Sequence, residues 1–388
     1  MAEWLPLRDV ARRAHDGRAV GVGVDHAAFL RRVAAWRHAF ATQPGSRWAV
    51  YLDDTVEFAA ALYGAWHAGK AVTLCGDTLP DTVARVLEDV DGLAGDFDDA
   101  NGARRIAAPA ADVEHTGDWD ALDETATRLV VFTSGSTGDA TAIDKSLTQL
   151  AREVEALQSA FSDVPDDAVV QGTVSHQHIY GLLFRVLWPL ATGRAIAPRL
   201  FFHDQIALAL ADGECVLVSS PAHLKRIPDT IDWAPARACL RAVFSSGGAL
   251  PEDAAIAARQ QLGVTPTEIY GSSETGGVAW RRWRDGAPSW RALPGVQWRI
   301  VDEQLEVSSP HLPTLDWWRS EDRVEADGDD GFRLLGRADR IVKIEERRVS
   351  LSALERQLAV CDHGREARVI ALPGAAVLLD AVIVLDNE

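Results

Sequence analysis

The chain has 388 residues, 47% hydrophobic and 25% charged, which suits a soluble globular protein with a large core and exceeds the usual size of one domain. A formal net charge of −18 argues against a nucleic-acid partner, because neutralising phosphates takes a basic surface. No apolar run approaches the ~20 residues a membrane-spanning helix needs, and the N-terminal MAEWLPLRDVARRAHDG lacks the apolar core of a secretory signal.

Four scattered cysteines (Cys75, Cys215, Cys239, Cys361) show no metal-ligand spacing and read as thiols of a reducing cytoplasm. In chain order, Trp48–Leu52 reads as a short apolar strand. A helix follows, capped by Asp54 or Thr55, striped with Phe58, Leu62 and Trp66 and stopped by Gly69; Ala71–Cys75 is the next strand. This βαβ unit implies a parallel sheet. Residues 96–128, rich in Asp, Ala and Gly, give no clear pattern.

Leu129–Thr133 is β-branched and apolar without polar alternation, as a buried strand is. It runs into Ser134, Gly135, Ser136, Thr137 and Gly138, small residues that let backbone N–H groups approach an anion. The stretch is not a Walker loop, for the Gly-Lys-Ser/Thr ending is missing. A helical stripe comes next (Leu147, Leu150, Ala151, Val154, Leu157, Phe161). Three more strands end in small residues. Val216–Val218 leads to Ser219-Ser220-Pro221, where serine caps and proline opens a helix; Ala242–Phe244 leads to 245–249; Glu268–Tyr270 leads to 271–277. Ligands of open α/β sheets sit at the carboxyl ends of strands, so four such ends suggest one polar cleft. From Val296 the pattern turns to short β runs (Val296–Val301, Leu305–Val307, Phe332–Leu335), then to an amphipathic helix after Ser350 or Ser352. A boundary is placed at Asp339, giving residues 1–338 and an α+β unit, 339–388, with too few elements to close a core.

Taken together, TSGSTG (Thr133–Gly138), SSGGAL (Ser245–Leu250), YGSSETGG (Tyr270–Gly277) and GRADRIVK (Gly336–Lys343) resemble the adenylate-forming superfamily of acyl-CoA synthetases, peptide-synthetase adenylation domains and luciferases. Order and spacing agree over nearly the whole chain. The segment QGTVSHQHIYGLLFRVLWPLATG looks most like acyl- or aryl-acid:carrier-protein ligases of aryl polyene and xanthomonadin-type pigment pathways. The resemblance implies an α/β fold: a large N-terminal domain of mostly parallel sheets flanked by helices, a small β-barrel-like part, and a truncated α+β C-terminal domain.

By the same resemblance, Thr133, Ser134, Gly135, Ser136, Thr137 and Gly138 would cradle the β- and γ-phosphates of ATP, with Ser273 near the α-phosphate. Gly247, Gly248, Ala249, Gly271 and Ser272 would line the nucleoside, Tyr270 would stack on adenine, and Asp322 with Arg337 would meet the ribose. Glu274 would hold Mg²⁺, a hard ion that prefers carboxylate oxygen. Thr133, Glu274 and His178 stand as catalytic residues, with His176 as a rival for the histidine's role. His178, Tyr180, Gly181, Ser220, Ser246 and Gly276 would line the acid pocket, and Asp339 would be the hinge.

The sequence also departs from the pattern. Ala140 and Thr141 replace the family's proline and lysine after the phosphate loop, leaving Lys145 as a possible substitute. Glu346 replaces a glycine that borders the pantetheine tunnel, and no segment matches the C-terminal catalytic lysine, so the chain as given should adenylate poorly. The implied reaction is attack of a small carboxylic acid on Mg·ATP to give acyl-AMP, then transfer to the thiol of coenzyme A or of an acyl carrier protein. A hydroxybenzoic-type acid is favoured over medium-chain or 3-hydroxy fatty acids. A cationic strip (Arg337, Arg340, Lys343, Arg347, Arg348) would steer an acidic carrier protein. A catalytically silent nucleotide-binding homologue is the competing class; a P-loop phosphotransferase is disfavoured by the missing Gly-Lys-Ser/Thr ending.

Overall fold

In a computed structural model, residues 4–12, 19–98, 102–109, 113, 118–133, 141–283, 288–328, 330–344, 347–359, 364–372 and 378–385 are described. The phosphate-loop residues 134–138 of the sequence reading, and Cys361, lie outside them. The chain falls into two compact units. The first comprises Met1–Pro288, Leu293–Gly295 and Ser309–Thr314; the second comprises Ser289–Ala292, Val296–Ser308 and Leu315–Glu388.

The first unit carries two sheets. In one, strands Arg47–Tyr51, Ala71–Leu74, Gly92–Gly95 and Arg128–Thr133 run parallel, and Thr141–Ser146 closes the edge as an antiparallel hairpin partner. The βαβ reading holds: Trp48 pairs with Val72 in parallel register. The connecting helix, Thr55–His67, starts where the Asp54 carboxylate accepts the Glu57 N–H at 2.7 Å. Past its end comes Gly69 at φ +71°, a conformation that costs glycine least. The helix is buried on nearly every face, Thr55 to Trp66, rather than along the single stripe that periodicity predicts. Part of the unpatterned 96–128 region supplies a short fifth parallel strand, Arg105–Ile106, and the buried Trp119 and Leu122.

In the other sheet, Thr267–Ser272, Leu240–Ser245, Cys215–Ser219, Val169–Gly172, Ile196–Arg199 and Ala19–Gly21 follow one another in parallel. Gly276–Arg282 flanks the first antiparallel and Val24–Asp25 the last. Helices pack apolar faces on this sheet: Leu210, Leu217, Trp233, Val243, Ala255 and Leu262 share one buried cluster. Helix Leu147–Ala160, capped by Ser146 and Gln149 in a reciprocal box, ends at Phe161, whose ring meets Phe244 at 5.0 Å. Burying each such side chain is worth about 1.5–3 kcal/mol.

The second unit is built of neighbours in antiparallel order: Gln297–Val301, Gln304–Ser308, Trp318–Ala326, Gly331–Arg337 and Trp290–Ala292. The small β-barrel-like part expected from the resemblance is thus an open ladder, with no closed barrel among the described residues. The turn between its first two strands puts Asp302 and Glu303 at φ 50° and 64°, the geometry of a two-residue hairpin whose twist matches its strands. Beyond it lie the hairpin Ile341–Ile344 with Arg347–Ser350, the helix Leu351–Ala359, and the hairpin Gly364–Leu372 with Leu378–Leu385.

No helix among the described residues is long and apolar enough to cross a membrane. Cys75 and Cys215 are buried free thiols whose pKa burial pushes up, to about 11 and about 12.

Candidate functional site

Parallel register carries the small-residue loops of the first unit to one edge. Ser219 pairs with Ser245, and Ser245 with Glu268, so the loops that begin at Ser220, Ser246 and Ser273 leave adjacent strands on the same side. The Ser246 hydroxyl donates to Ile269 O at 2.9 Å, and the Thr173 and Ser219 hydroxyls meet at 3.0 Å. A Cβ added at Gly248 would find only Pro221 within 4 Å, which places the 245–249 loop beside the start of helix Pro221–Leu224. Ser220 takes the N-cap position of that helix, but its hydroxyl makes no cap bond, contrary to the sequence reading. Buried Glu268 anchors the set: it accepts Leu250 N–H at 2.8 Å, Arg281 Nε at 2.6 Å and Trp283 Nε1 at 2.7 Å.

Residues 273–275 form a tight turn between two antiparallel strands, which end at Ser272 and restart at Gly276. Ser272 N–H donates to the Thr275 hydroxyl and Thr275 N–H to the Ser272 hydroxyl, both at 3.2 Å, while Thr275 Oγ1 donates to Gly276 O at 2.9 Å. Ser272 is therefore spent on the turn, and Ser273 and Glu274 are left at its tip. Gly271 admits no side chain, since a Cβ there would lie 2.2 Å from Gly276 O. Gly276 sits at φ +69°, with Glu153 Oε2 2.6 Å from where a Cβ would be.

A buried net of side chains holds this turn from beneath. Lys145, only 1% exposed, donates from Nζ to Glu274 O at 2.9 Å and to His311 O at 3.4 Å. Gln149 Nε2 also donates to His311 O, at 2.9 Å. Glu153 Oε1 accepts Gly277 N–H at 2.5 Å, and His311 Nδ1 donates to Gly277 O at 3.0 Å, which fixes the tautomer because a carbonyl can only accept. Burial lowers the Lys145 pKa, opposed by the charges of Glu153 and Glu274. Lys145 cannot stand in for the missing phosphate-loop lysine: its ammonium is internal and engaged with main-chain oxygens.

Among the described residues the Glu274 carboxylate accepts no hydrogen bond and forms no ion pair, and Lys145 donates to the main-chain oxygen of that residue. No cluster of three or more His, Cys, Asp or Glu that could hold a metal is found there either. One open carboxylate fits Mg²⁺, which is bound by one or two carboxylates with substrate phosphates and water making up the rest.

The two rival histidines part company. His176 is 2% exposed; Nε2 donates to Leu52 O at 2.8 Å and Nδ1 accepts the Thr55 hydroxyl at 3.2 Å. Burial, aided by the charge of Arg185, lowers its pKa to about 3. It is a neutral strut. His178 is exposed and lies beside Gly76, with Arg199 and Asp77 as charged neighbours; desolvation and then Arg199 lower its pKa. Fully buried Arg185 braces the loop by donating to Val174 O at 2.7 Å, Ala197 O at 3.0 Å and Thr55 Oγ1 at 3.1 Å. Gly181 is glycine because a Cβ would fall 1.9 Å from Ser175 O. The Tyr180 ring lies 4.9 Å from Phe184, and its enclosed hydroxyl has no hydrogen-bond partner among the described residues.

In the second unit, Asp322 and Arg337 are direct cross-strand partners. Two cations of the expected carrier-facing strip are engaged within the chain, Arg337 with Glu321 and Arg340 with Glu355. The side chains of Lys343, Arg347 and Arg348, like those of Thr133 and Asp339, lie outside what the structure describes.

Sequence reasoning missed the roles of Glu153, Glu268 and His311, and offered Lys145 only as a substitute for the phosphate-loop lysine. Glu153 did leave a signal, an acid three residues after Leu150 and four before Leu157, inside the apolar stripe.

Comparison with known proteins gives the following. The family model described as AMP-binding enzyme matches residues 25–313. Over 271 residues the chain is 30% identical to a 4-coumarate–CoA ligase of Rhodobacter capsulatus, covering 69% of this chain and 66% of the ligase. It is 24% identical over 405 residues to pyochelin synthetase PchE of Pseudomonas aeruginosa, covering 91% of this chain and 28% of the synthetase. Among solved structures, ATP-bound MatB from Rhodopseudomonas palustris matches with a TM-score of 0.83 at 20% identity, over 99% of this chain and 89% of that one. The amide bond synthetase McbA from Marinactinospora thermotolerans matches at 0.78 and 20% identity, over 98% and 90%. At these identities the structural matches establish the fold. The aligned chain spans just under two thirds of the Rhodobacter ligase's length.

Proposed function

This chain belongs to the AMP-binding enzyme family, and on that footing we propose that it activates a small carboxylic acid with ATP, forming acyl-AMP and pyrophosphate, and passes the acyl group to a thiol. The observation that carries the reading is the turn at 272–275, which leaves the Glu274 carboxylate without a partner among the described residues, at the edge where the neighbouring loops of parallel strands begin.

Residues 133–138 would hold the phosphates and Ser273 would stand at the α-phosphate. Gly247, Gly248, Ala249, Tyr270 and Gly271 would take the nucleoside, with Asp322 and Arg337 meeting the ribose. Glu274 would hold Mg²⁺, which when bound neutralises phosphate charge. Positioning and charge neutralisation supply most of the acceleration in such a transfer. His178, Tyr180, Ser220, Ser246 and Gly276 would border the acid, and the segment after Asp339 would turn between the two half-reactions.

An aryl acid of the hydroxybenzoic type is the favoured substrate. The support is the named activity of the 4-coumarate–CoA ligases and the resemblance of residues 171–193 to aryl-acid:carrier-protein ligases. Coenzyme A and a phosphopantetheine carrier are the two acceptors this chemistry admits. One observation favours a second reading, a nucleotide binder without turnover: Thr141 replaces the loop lysine, and Lys145 is internal.

Acid-dependent exchange of pyrophosphate into ATP, measured in a chain that carries the family's C-terminal lysine, separates the two, run beside thermal shift with Mg·ATP and a panel of aryl and acyl acids. Exchange with one acid class supports the ligase and names its substrate. A raised midpoint with ATP but no exchange with any acid supports the silent binder.

A further inference from the structure

We infer that Lys145 is a positioning residue for this site: its buried ammonium fixes the main chain of residue 274 and thereby holds the Glu274 carboxylate at a set place relative to strand Thr141–Ser146. The inference rests on the proposed adenylation for what Glu274 does, and on the structure alone for how it is held.

The two ends of the link matter. Lys145 lies on the strand that returns from residues 134–140; that strand pairs Thr141 with Thr133 and Lys145 with Leu129. Glu274 lies on the turn between the strands ending at Ser272 and starting at Gly276. These segments belong to different sheets of the same unit, and the Lys145 Nζ to Glu274 O bond of 2.9 Å joins them directly. Glu153 and His311 grip the N–H and the C=O of Gly277, so the main chain on the C-terminal side of the tip is pinned as well. Gln149 already holds His311 O, which leaves residue 274 as the contact that Lys145 alone provides.

The choice of residue type argues the same way. An ammonium at 1% exposure is costly to desolvate, and an apolar side chain of similar volume would fill the space without that cost. What an apolar side chain cannot do is donate to residue 274 across the gap between the sheets. Side chains that orient a metal ligand through its neighbours typically change metal affinity by 10–100-fold when removed. Lys145 would act on Glu274 in this manner, through the backbone.

The test measures ATP binding by calorimetry across a Mg²⁺ titration for the native chain, Lys145→Met, Lys145→Arg and Leu150→Ala, below every unfolding transition. Leu150 is fully buried on the adjacent helix and makes the control for lost stability. The expected result is a Mg²⁺ midpoint raised about tenfold in Lys145→Met, with metal-free ATP affinity unchanged, recovery in Lys145→Arg, and a native midpoint in Leu150→Ala. A folded Lys145→Met with the native midpoint overturns the inference, as does a Leu150→Ala shift of equal size. If Lys145→Met does not fold, Lys145→Ala, which has no donor and adds no bulk, is read by the same criteria. A native chain that binds ATP alike with and without Mg²⁺ overturns the role of Glu274 and this inference with it. Mg²⁺-dependent binding without acid-dependent exchange sinks the adenylation reading and leaves the inference standing.

Discussion

Glu153 Oε1 accepts the amide N–H of Gly277 at 2.5 Å, joining residues 124 positions apart. Both are buried, and the same carboxylate supplies charge that favours the buried Lys145 ammonium. Replacing it with an apolar side chain leaves a buried N–H without acceptor and a buried cation with less compensation. Glu153→Leu is expected to cost about 3–5 kcal/mol, read as a shift of the urea midpoint at pH 7. Glu153→Gln keeps an acceptor and should cost less than half of that. A Glu153→Leu loss below about 1 kcal/mol would show that the contact contributes little.

Gly248 offers a clean probe of the nucleoside assignment. Its φ lies outside the left-handed region, and a Cβ would find only Pro221 Cγ, at 3.9 Å. Gly248→Ala should leave the unfolding midpoint of the ligand-free protein nearly unchanged. If a flat ring lies against this backbone, the added methyl must collide with it, and the KM for ATP should rise severalfold with the acid KM unmoved. Gly247 cannot serve, because its φ of +85° strains any other residue whatever the ligand does.

The contrast between these glycines shows what was legible in the chain. Strand positions, the βαβ unit around Trp48 and Val72, and the alignment of the loops that follow Ser219, Ser245 and Ser272 follow from local pattern: apolar runs, caps and small residues at strand ends. The net under the turn does not. Lys145 stands between Asp144 and Ser146 on an edge strand and looks like a solvated cation, yet it is buried by contacts with residues 274 and 311. His176 and His178 are equally polar in sequence, and only the approach of Leu52 and Thr55 makes one a strut. Pairings that span over a hundred residues leave no local period to read.

His176 should leave a mark on stability against pH. Its pKa is about 3 in the folded protein and about 6.5 in the unfolded chain, where neither burial nor Arg185 acts on it. Between those values the unfolded state binds the proton and the folded state does not, so stability falls as pH drops from 6.5 towards 3. The slope from this one group reaches about 1.4 kcal/mol per pH unit. His176→Gln should flatten the unfolding midpoint over pH 6.5–4 relative to the native chain. An imidazole that titrates near pH 6.5 in the folded protein, followed by its ring proton shifts, would contradict the buried neutral tautomer.

Glu355 gives the opposite case, a carboxylate whose charge the fold keeps. Burial works to raise its pKa, but the Val369 N–H at 2.9 Å and the guanidinium groups of Arg340 and Arg368 outweigh it and lower the pKa below the usual carboxylate value. The folded-state pKa is depressed, so this stabilisation is full above the unfolded value and is lost as pH falls through the folded one. Arg340 directly follows Asp339, and its pairing ties the start of the C-terminal segment to helix Leu351–Ala359 and strand Gly364–Leu372. If the segment turns about Asp339 during catalysis, Arg340 must travel with the part it is bonded to. Glu355→Gln should speed amide exchange in residues 364–372 at pH 7, consistent with a loss of about 1–3 kcal/mol. The difference between native and variant should shrink as pH falls below the usual carboxylate range. Equal exchange at pH 7 would mean that the Glu355 carboxylate does not hold this segment together.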